Sequence, residues 1–233
     1  MFPHSFSSLQ FYQKKKDIVL YKAGDSSHRY MLKAIIPKDA VVKQAFYDEY
    51  HTLRQLHHPS IPVYYGLDEH FHFPDSPEEY LMLCMEDCSI PPEQQLQHCT
   101  VKELGQILYQ VTDVLSFLLD HGVLYTDLNP SNLILSRRKE GIRLTLVDYT
   151  YCYYFLHNPN PDYSLRFSYN LSPELKGRQL LIQEITYLAY ALMEDQRITD
   201  LSSNIYRLLE TGKNPPEGLS LQEFSLMIQE SFI

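Results

Sequence analysis

The fold is decided by the stretch Val123-Leu-Tyr-Thr-Asp-Leu-Asn-Pro-Ser-Asn-Leu-Ile-Leu135, which lies between an apolar helical segment and a hydrophobic strand. It places Asp127 five residues before Asn132, and a second acid, Asp148, directly follows the apolar run 144–147. One carboxylate that orients a hydroxyl, with an amide and a second carboxylate that hold Mg²⁺, are the groups that phosphoryl transfer needs. Because Asp and Asn are also common in turns, this interpretation depends on the rest of the chain.

Two upstream segments add a lysine and a glutamate. The alternating run 29–36, Arg-Tyr-Met-Leu-Lys-Ala-Ile-Ile, predicts a strand that contains Lys33. Segment 43–56 has apolar residues at helical spacing and leaves Glu49 near the edge of that apolar stripe. Taken alone, Lys33 would be a surface lysine and Glu49 part of a solvated helix face; their order and spacing favour a functional pair.

The middle of the chain predicts a strand and a long helix. Run 80–86 is apolar and ends in an acid, as a buried strand would. Thr100 and Glu103 form a capping box that opens a helix over 101–121, and Gly122 marks its end. This helix leads directly into the loop that contains Asp127.

In this order, the segments resemble the eukaryotic-like protein kinases. The stretch around Asp127 resembles the catalytic loop of that family, and the strand with Lys33 its Val-Ala-Ile-Lys strand. His58-Pro-Ser-Ile61 matches its His-Pro-x-Ile bend, and Ser172-Pro-Glu174 resembles the Ala-Pro-Glu that closes its activation segment. The resemblance covers roughly residues 6–193.

The resemblance implies an α+β, bilobal protein-kinase-like fold, with one domain spanning residues 1–233. A small N-lobe, about 1–86, would hold an antiparallel sheet and helix C. A hinge, about 86–90, would lead to a mainly helical C-lobe, about 91–233. This C-lobe is truncated, because only about 40 residues follow the buried helix predicted over 180–193. Two further helices are expected there, near 201–210 and 219–231.

The resemblance also implies a site for ATP and Mg²⁺. Lys33 would contact the α- and β-phosphates while Glu49 holds its ammonium group. Asn132 and Asp148 would bind Mg²⁺, and Asp127 would accept or align the proton of the attacking hydroxyl. The implied function is an ATP- and Mg-dependent protein kinase that transfers the γ-phosphate to a protein hydroxyl, with Ser or Thr as the expected acceptor.

The adenine of ATP would be held by the segment at the end of the 80–86 strand. In the family this strand leads to the hinge, so Met85 would guard the pocket. The backbone of the next three residues, Glu86, Asp87 and Cys88, would face adenine.

The chain departs from the family at the phosphate-binding hairpin. Glycines there let backbone N–H groups approach the phosphates closely, but the first glycine of this chain is Gly24, already past that position. Segment 11–17, Phe-Tyr-Gln-Lys-Lys-Lys-Asp, takes its place, between strands predicted around 7–12 and 18–22. Its lysines could supply charge in place of backbone donors, or form a solvated turn.

Four further departures concern the catalytic loop and the activation segment. Asp148-Tyr-Thr150 stands where most kinases have Asp-Phe-Gly; haspin-type kinases share this sequence. Thr126 replaces the arginine that would pair with a phosphorylated activation segment, so regulation by that route is not expected. Asn129 replaces the lysine that meets the γ-phosphate in Ser/Thr kinases, and Glu174 has no evident arginine partner.

Two other functions remain open at this point. A pseudokinase would keep the fold as a binding or scaffolding module, which the missing glycine loop favours. It could use the Tyr-rich segment 149–169 or the acidic 68–79 loop as its contact surface. A small-molecule kinase of the aminoglycoside-phosphotransferase type shares the Asp-to-Asn spacing, but Ser172-Pro-Glu174 and the His58-Pro bend argue against it.

Composition limits the partners. A net charge of −9 argues against general affinity for nucleic acid, because the sequence has no basic stripe that could release phosphate counterions. No apolar run approaches the ~20 residues that span a bilayer. The four cysteines have no paired metal-ligand spacing, so a reducing cytoplasm is the expected location. Segment 68–79, rich in acids and proline, is expected to be an exposed excursion between strands.

Overall fold

The structure is a computed structural model and describes residues 6–15, 17–125, 127–150, 152 and 177–232. These residues divide into two compact units. The first unit contains the described residues up to Ser89, together with 149, 150 and 152. The second contains the described residues from Ile90 to Asp148 and those from 177 onward. The division after Ser89 falls inside the segment predicted as a hinge.

The first unit is built on a five-stranded antiparallel sheet of order β1-β2-β3-β5-β4. Its strands are β1 (Ser8–Lys15), β2 (Ile18–Gly24), β3 (Arg29–Ile35), β4 (Tyr64–His72) and β5 (Glu79–Glu86). Helix α1 (Ala40–Leu53) connects β3 to β4. Its N-terminus is capped by the Asp39 carboxylate, which accepts a hydrogen bond from the Val41 N–H at 2.7 Å.

One face of this sheet forms a hydrophobic core, and the other carries Lys33. Side chains alternate between the faces along a strand, so Leu32 and Ala34 lie on the face opposite to Lys33. There they join Met82, Cys84 and Phe73 in a hydrophobic core. The Lys33 side chain is left on the other face, where β3 pairs with β2 and β5 through Leu20 and Leu83.

The prediction of an exposed excursion over 68–79 is correct for most of the side chains, but it is wrong for the backbone up to His72, which is strand, and for the Phe73 side chain, which is buried. Strand β4 continues to His72, and the Phe73 side chain is only 2% exposed. Phe73 stacks on Tyr21 with ring centroids 3.9 Å apart, and Phe71 and Tyr80 meet it edge-on. Folding this segment onto the sheet buries apolar aromatic surface. The acids and prolines around Phe73 hid this contribution in the sequence.

The second unit combines helices with a two-stranded hairpin. Its elements are α2 (Val101–Asp120), β6 (Leu133–Arg138), β7 (Gly141–Leu146), α3 (Arg178–Gln196), α4 (Ser203–Lys213) and α5 (Leu221–Phe232). Helix α2 packs against β7, α3 and α5. The capping box of Thr100 and Glu103 is present in full, and Gly122 ends the helix with φ +79°. The two expected C-terminal helices are also present, as α4 and α5.

These last helices pack closely on the rest of the unit. A Cβ atom at Gly105 of α2 would overlap the Phe232 side chain of α5, and one at Gly212 of α4 would overlap the Thr186 hydroxyl of α3. Glycine therefore permits both helix contacts. The C-terminal helices therefore share one packed core with α2 and α3.

The α+β class predicted from the sequence is confirmed. Across the described part of the chain, no helix is both long enough and apolar enough to cross a bilayer.

Candidate active site

The first unit holds a buried ion pair. The Lys33 Nζ lies 3.2 Å from Oε1 and 3.1 Å from Oε2 of Glu49. The side chains come from β3 and α1, and the two residues are 5% and 0% exposed. Glu49 is placed there by the helical period, because it shares the buried face of α1 with Ala45, Phe46 and Leu53. Removing water from either charge alone would be costly, so each requires the other.

Two hydroxyl groups complete the surroundings of Glu49. The Tyr64 hydroxyl donates to Oε1 at 2.7 Å, and the Thr150 hydroxyl donates to Oε2 at 2.6 Å. Each carboxylate oxygen therefore accepts one hydrogen bond from Lys33 and one from a hydroxyl. Sequence reasoning missed both donors. The one available signal was Thr150, a residue with a side chain where the family motif has glycine.

Met85 and the three residues after it lie at the end of β5. Met85 is 8% exposed and pairs with Met31. Met31 stands two residues before Lys33 and so shares its face of the sheet. The Glu86 N–H donates to the Val63 carbonyl at 2.8 Å, and the Asp87 N–H donates to the Arg29 carbonyl at 3.4 Å. Since these two donors are engaged within the sheet, an adenine would have to use other backbone groups of the segment.

The hairpin between β1 and β2 is the region where the family has its glycines. Lys15 pairs with Ile18, so only two residues connect the strands. A register shift between Phe11 and Gln13 marks a bulge before the turn. Lys14 and Lys15 are exposed, which places two cationic side chains near the tip of the hairpin.

In the second unit, the Asp127 carboxylate is held by two amides. Asn132 Nδ2 donates to its Oδ2 at 2.8 Å and to the Asp127 carbonyl at 2.8 Å. Asn129 Nδ2 donates to Oδ1 at 3.0 Å. The 3₁₀ turn Pro130–Asn132 returns the chain to Asp127 and makes these contacts possible. Asn129 thus holds the carboxylate from the position where the family has a lysine.

The β6–β7 pairing brings the second acid next to the loop. Asn132 immediately precedes β6, and its carbonyl accepts the Val147 N–H at 3.0 Å. Tyr125, which is fully buried, donates its hydroxyl to the Val147 carbonyl at 2.6 Å. Asp148 follows with φ +64°, a left-handed conformation that few residues other than glycine adopt. Strained backbone of this kind is concentrated at functional sites.

The oxygen atoms at this position suit Mg²⁺. Asn132 uses its Nδ2 to hold Asp127, and its amide oxygen and the Asp148 carboxylate are oxygen donors of the kind that Mg²⁺ binds. Mg²⁺ is commonly bound by one or two carboxylates, with substrate phosphates and water completing six ligands. Among the residues that the structure describes, no three His, Cys, Asp or Glu side chains form a metal cage. The donor set therefore fits an ion that arrives with a phosphate ligand.

Some sequence expectations fall outside the described residues. Thr126, Ser172-Pro-Glu174 and most of the Tyr-rich segment 149–169 belong to this group. The structure brings Lys33 to Glu49 and Asp127 to Asn132. Asp148 directly follows Val147, which is hydrogen-bonded to Asn132. The assigned roles of these residues, and of the hinge residues, remain predictions.

Comparison with known proteins identifies the family. The sequence profile of the protein kinase domain matches residues 17–187. Since this match covers more than half of the chain, the chain belongs to the protein kinase family, a family of transferases. No curated protein sequence gives a significant match.

Solved structures agree with this assignment at the level of the fold. The chain is similar to the kinase domain of PknI from Mycobacterium tuberculosis, with 17% identity, 97% coverage of each chain and a TM-score of 0.65. A single-substitution mutant of that domain gives 16% identity, 97% and 96% coverage, and a TM-score of 0.66. The kinase-like fold, with an antiparallel sheet in one lobe and a mainly helical second lobe, is confirmed.

Proposed function

We propose that this chain is an ATP- and Mg²⁺-dependent protein kinase that transfers the γ-phosphate to a serine or threonine hydroxyl of a protein. The observation that carries the proposal is the buried Lys33–Glu49 pair with its two hydroxyl donors. A buried ion pair is often no more stabilising than apolar residues of similar size, so stability alone does not account for it. A function that needs a fixed ammonium group does.

The ammonium group of Lys33 would donate to the α- and β-phosphates of ATP. Glu49 neutralises it in the absence of nucleotide and restricts its position, because each carboxylate oxygen is within hydrogen-bond distance of Nζ. A charged donor held in place before the nucleotide arrives adds affinity without a further cost of ordering.

Asp127 would align the acceptor hydroxyl and take its proton. Because Asn132 and Asn129 hold both carboxylate oxygens, the carboxylate has a defined orientation, as in-line transfer requires. The Asp148 carboxylate and the Asn132 Oδ1 would hold Mg²⁺, which offsets the negative charge of the phosphates when it is bound.

The location we propose is a reducing cytoplasm. Cys84 and Cys99 are buried thiols. Burial raises the pKa of Cys84 to about 12 and, as the main cause, that of Cys99 to about 11. Such thiols stay protonated at neutral pH and behave as small apolar groups.

Phosphate transfer from γ-labelled ATP to a mixture of peptides and proteins, and in a separate assay to small alcohols, tests the function. Wild type should transfer label only when Mg²⁺ is present. Asp127→Asn should transfer little label under the same conditions. Asp120→Asn, an exposed acid at the end of α2, is the matched control and should behave as wild type. Label on a small alcohol but on no peptide would instead indicate a small-molecule kinase.

The β1–β2 hairpin favours a second candidate, a pseudokinase that acts as a binding module. Its tip carries exposed lysines in place of the glycines that cradle phosphates. Thermal unfolding with millimolar Mg²⁺–ATP separates the two candidates. Ligand at 100 times its Kd adds about 2.7 kcal/mol, so a functional site should raise the Tm by several degrees. The absence of both a Tm shift and phosphate transfer would contradict the kinase and favour the pseudokinase.

A further inference from the structure

The Thr150 hydroxyl makes the shortest contact to the buried carboxylate of the ion pair. It donates to Glu49 Oε2 at 2.6 Å, whereas the Lys33 Nζ lies at 3.1 Å from the same atom. This distance is typical of a charge-assisted bond between a hydroxyl and a carboxylate. Thr150 is 6% exposed and Glu49 is fully buried, so water does not compete freely for either partner.

This bond depends on a side chain that the usual motif lacks. Thr150 is the third residue of Asp148-Tyr-Thr150, where most kinases have glycine. Glycine could offer no hydroxyl. The bond also joins residues 101 positions apart in the chain, so it ties the segment after Asp148 to helix α1 within the first unit.

A carboxylate with four hydrogen bonds has little freedom to rotate. Oε1 accepts from Lys33 and Tyr64, and Oε2 accepts from Lys33 and Thr150. If the Thr150 hydroxyl were removed, Oε2 would keep the ammonium group alone, and Glu49 could turn away from the position that suits Lys33. A buried acceptor that loses a partner is costly. The Glu49 side chain or helix α1 would therefore move to give Oε2 a new partner.

We propose that Thr150 is a positioning residue that holds Glu49, and through it Lys33, in the nucleotide-contacting arrangement in the resting protein. The inference rests on the proposed function. It explains how the pair assembles in a chain with Thr126 in place of the arginine that would read a phosphorylated activation segment. In this arrangement the Thr150 hydroxyl stabilises the ion pair, so the pair forms without phosphorylation of the activation segment.

The test compares two substitutions of Thr150 in phosphatase-treated protein. Thr150→Val keeps the size of the side chain and removes the hydroxyl, whereas Thr150→Ser keeps the hydroxyl. Thr112→Val is the matched control, because the Thr112 side chain is equally buried and donates its hydroxyl to the Leu108 carbonyl at 2.8 Å, within α2.

Thr150→Val should raise the KM for ATP about tenfold, which corresponds to ~1.4 kcal/mol, and change kcat less. Thr150→Ser should return the KM to within about twofold of wild type. Thr112→Val should leave the KM unchanged. An unchanged KM in Thr150→Val, or an equal rise in Thr112→Val, would overturn the proposal.

A double-mutant cycle on nucleotide-free protein keeps this test separate from the proposed function. Thr150→Val and Glu49→Gln, alone and together, are compared by the equilibrium constant for unfolding. The effect of Thr150→Val should be about tenfold smaller when Glu49 is already replaced. Additive effects would overturn the clamp. If Glu49→Gln does not fold, Thr150→Val is compared with Thr150→Ser instead: the Ser variant, which keeps the hydroxyl, should keep the wild-type equilibrium constant for unfolding, and equal losses in the two variants would overturn the clamp.

A failure of the proposed function has a different signature. Wild type would then show neither transfer nor a Tm shift with Mg²⁺–ATP, while the cycle would still show coupling between Thr150 and Glu49.

Discussion

The two polar clusters around Glu49 and Asp127 are built in opposite ways. The cluster around Glu49 joins residues 15, 16 and 101 positions apart, all buried. The cluster around Asp127 joins residues two and five positions apart in a single turn. The first depends on the packing of a whole unit, and the second mainly on a local backbone conformation. Substitutions should therefore affect stability at Glu49 and chemistry at Asp127.

The largest expected effect is on catalysis at Asp127. Asp127→Asn keeps the size of the side chain and removes its capacity to accept a proton, so the rate of transfer should fall by about 10²–10⁴-fold. The Tm should change little, because the cluster is local and partly exposed. The comparison fails if Asp127→Asn lowers the Tm as much as a substitution of Glu49 does.

The next effect is on stability at Glu49. Glu49→Ala leaves the Lys33 ammonium group buried without its carboxylate, and removing one partner of a buried pair costs about 3–5 kcal/mol. Urea unfolding should show this loss. Glu223→Ala, which replaces an exposed carboxylate that accepts the Ser220 N–H at the start of α5, is the control and should cost about 1 kcal/mol or less. Equal losses in the two variants would show that the buried Glu49 cluster contributes no more to stability than an exposed helix cap.

A smaller effect is expected at Asn129. Asn129→Ala removes one of the two amides that hold the Asp127 carboxylate, and a hydrogen bond to a charged group contributes about 1.5–3 kcal/mol. The kcat should fall by roughly tenfold or more, with the KM for ATP unchanged. A change confined to the KM would mean that Asn129 serves the nucleotide and not the acceptor.

The smallest effect concerns the thiol of Cys88, in the predicted hinge. Iodoacetamide at pH 8 should modify Cys88, which is partly exposed, and Mg²⁺–ATP should slow the reaction severalfold. Cys84 and Cys99 serve as internal controls. Their pKa values, about 12 and about 11, keep both thiols protonated at this pH. Mass spectrometry of the modified peptides checks each site, and a Cys88 rate unaffected by nucleotide would remove it from the adenine site.

Sequence reasoning was most successful where short-range rules operate. The capping box at Thr100 and the end of α2 at Gly122 follow from backbone hydrogen bonding within one turn. It failed where aromatic burial overrode local polarity, as at Phe73, which covers the sheet although acids and prolines surround it. It also did not find Tyr64 and Thr150, since no local pattern indicates which distant carboxylate a hydroxyl will meet.

The sequence by itself determined the order of strands and helices, the family, and the loop that holds Asp127 beside Asn132. These features depend on periodicity and on contacts between residues close together in the sequence, which form whatever the rest of the chain does. Only the tertiary structure decided that Thr150 reaches Glu49. The physical reason is that a bond across 101 residues exists only after packing has brought β3, α1 and the segment after Asp148 together.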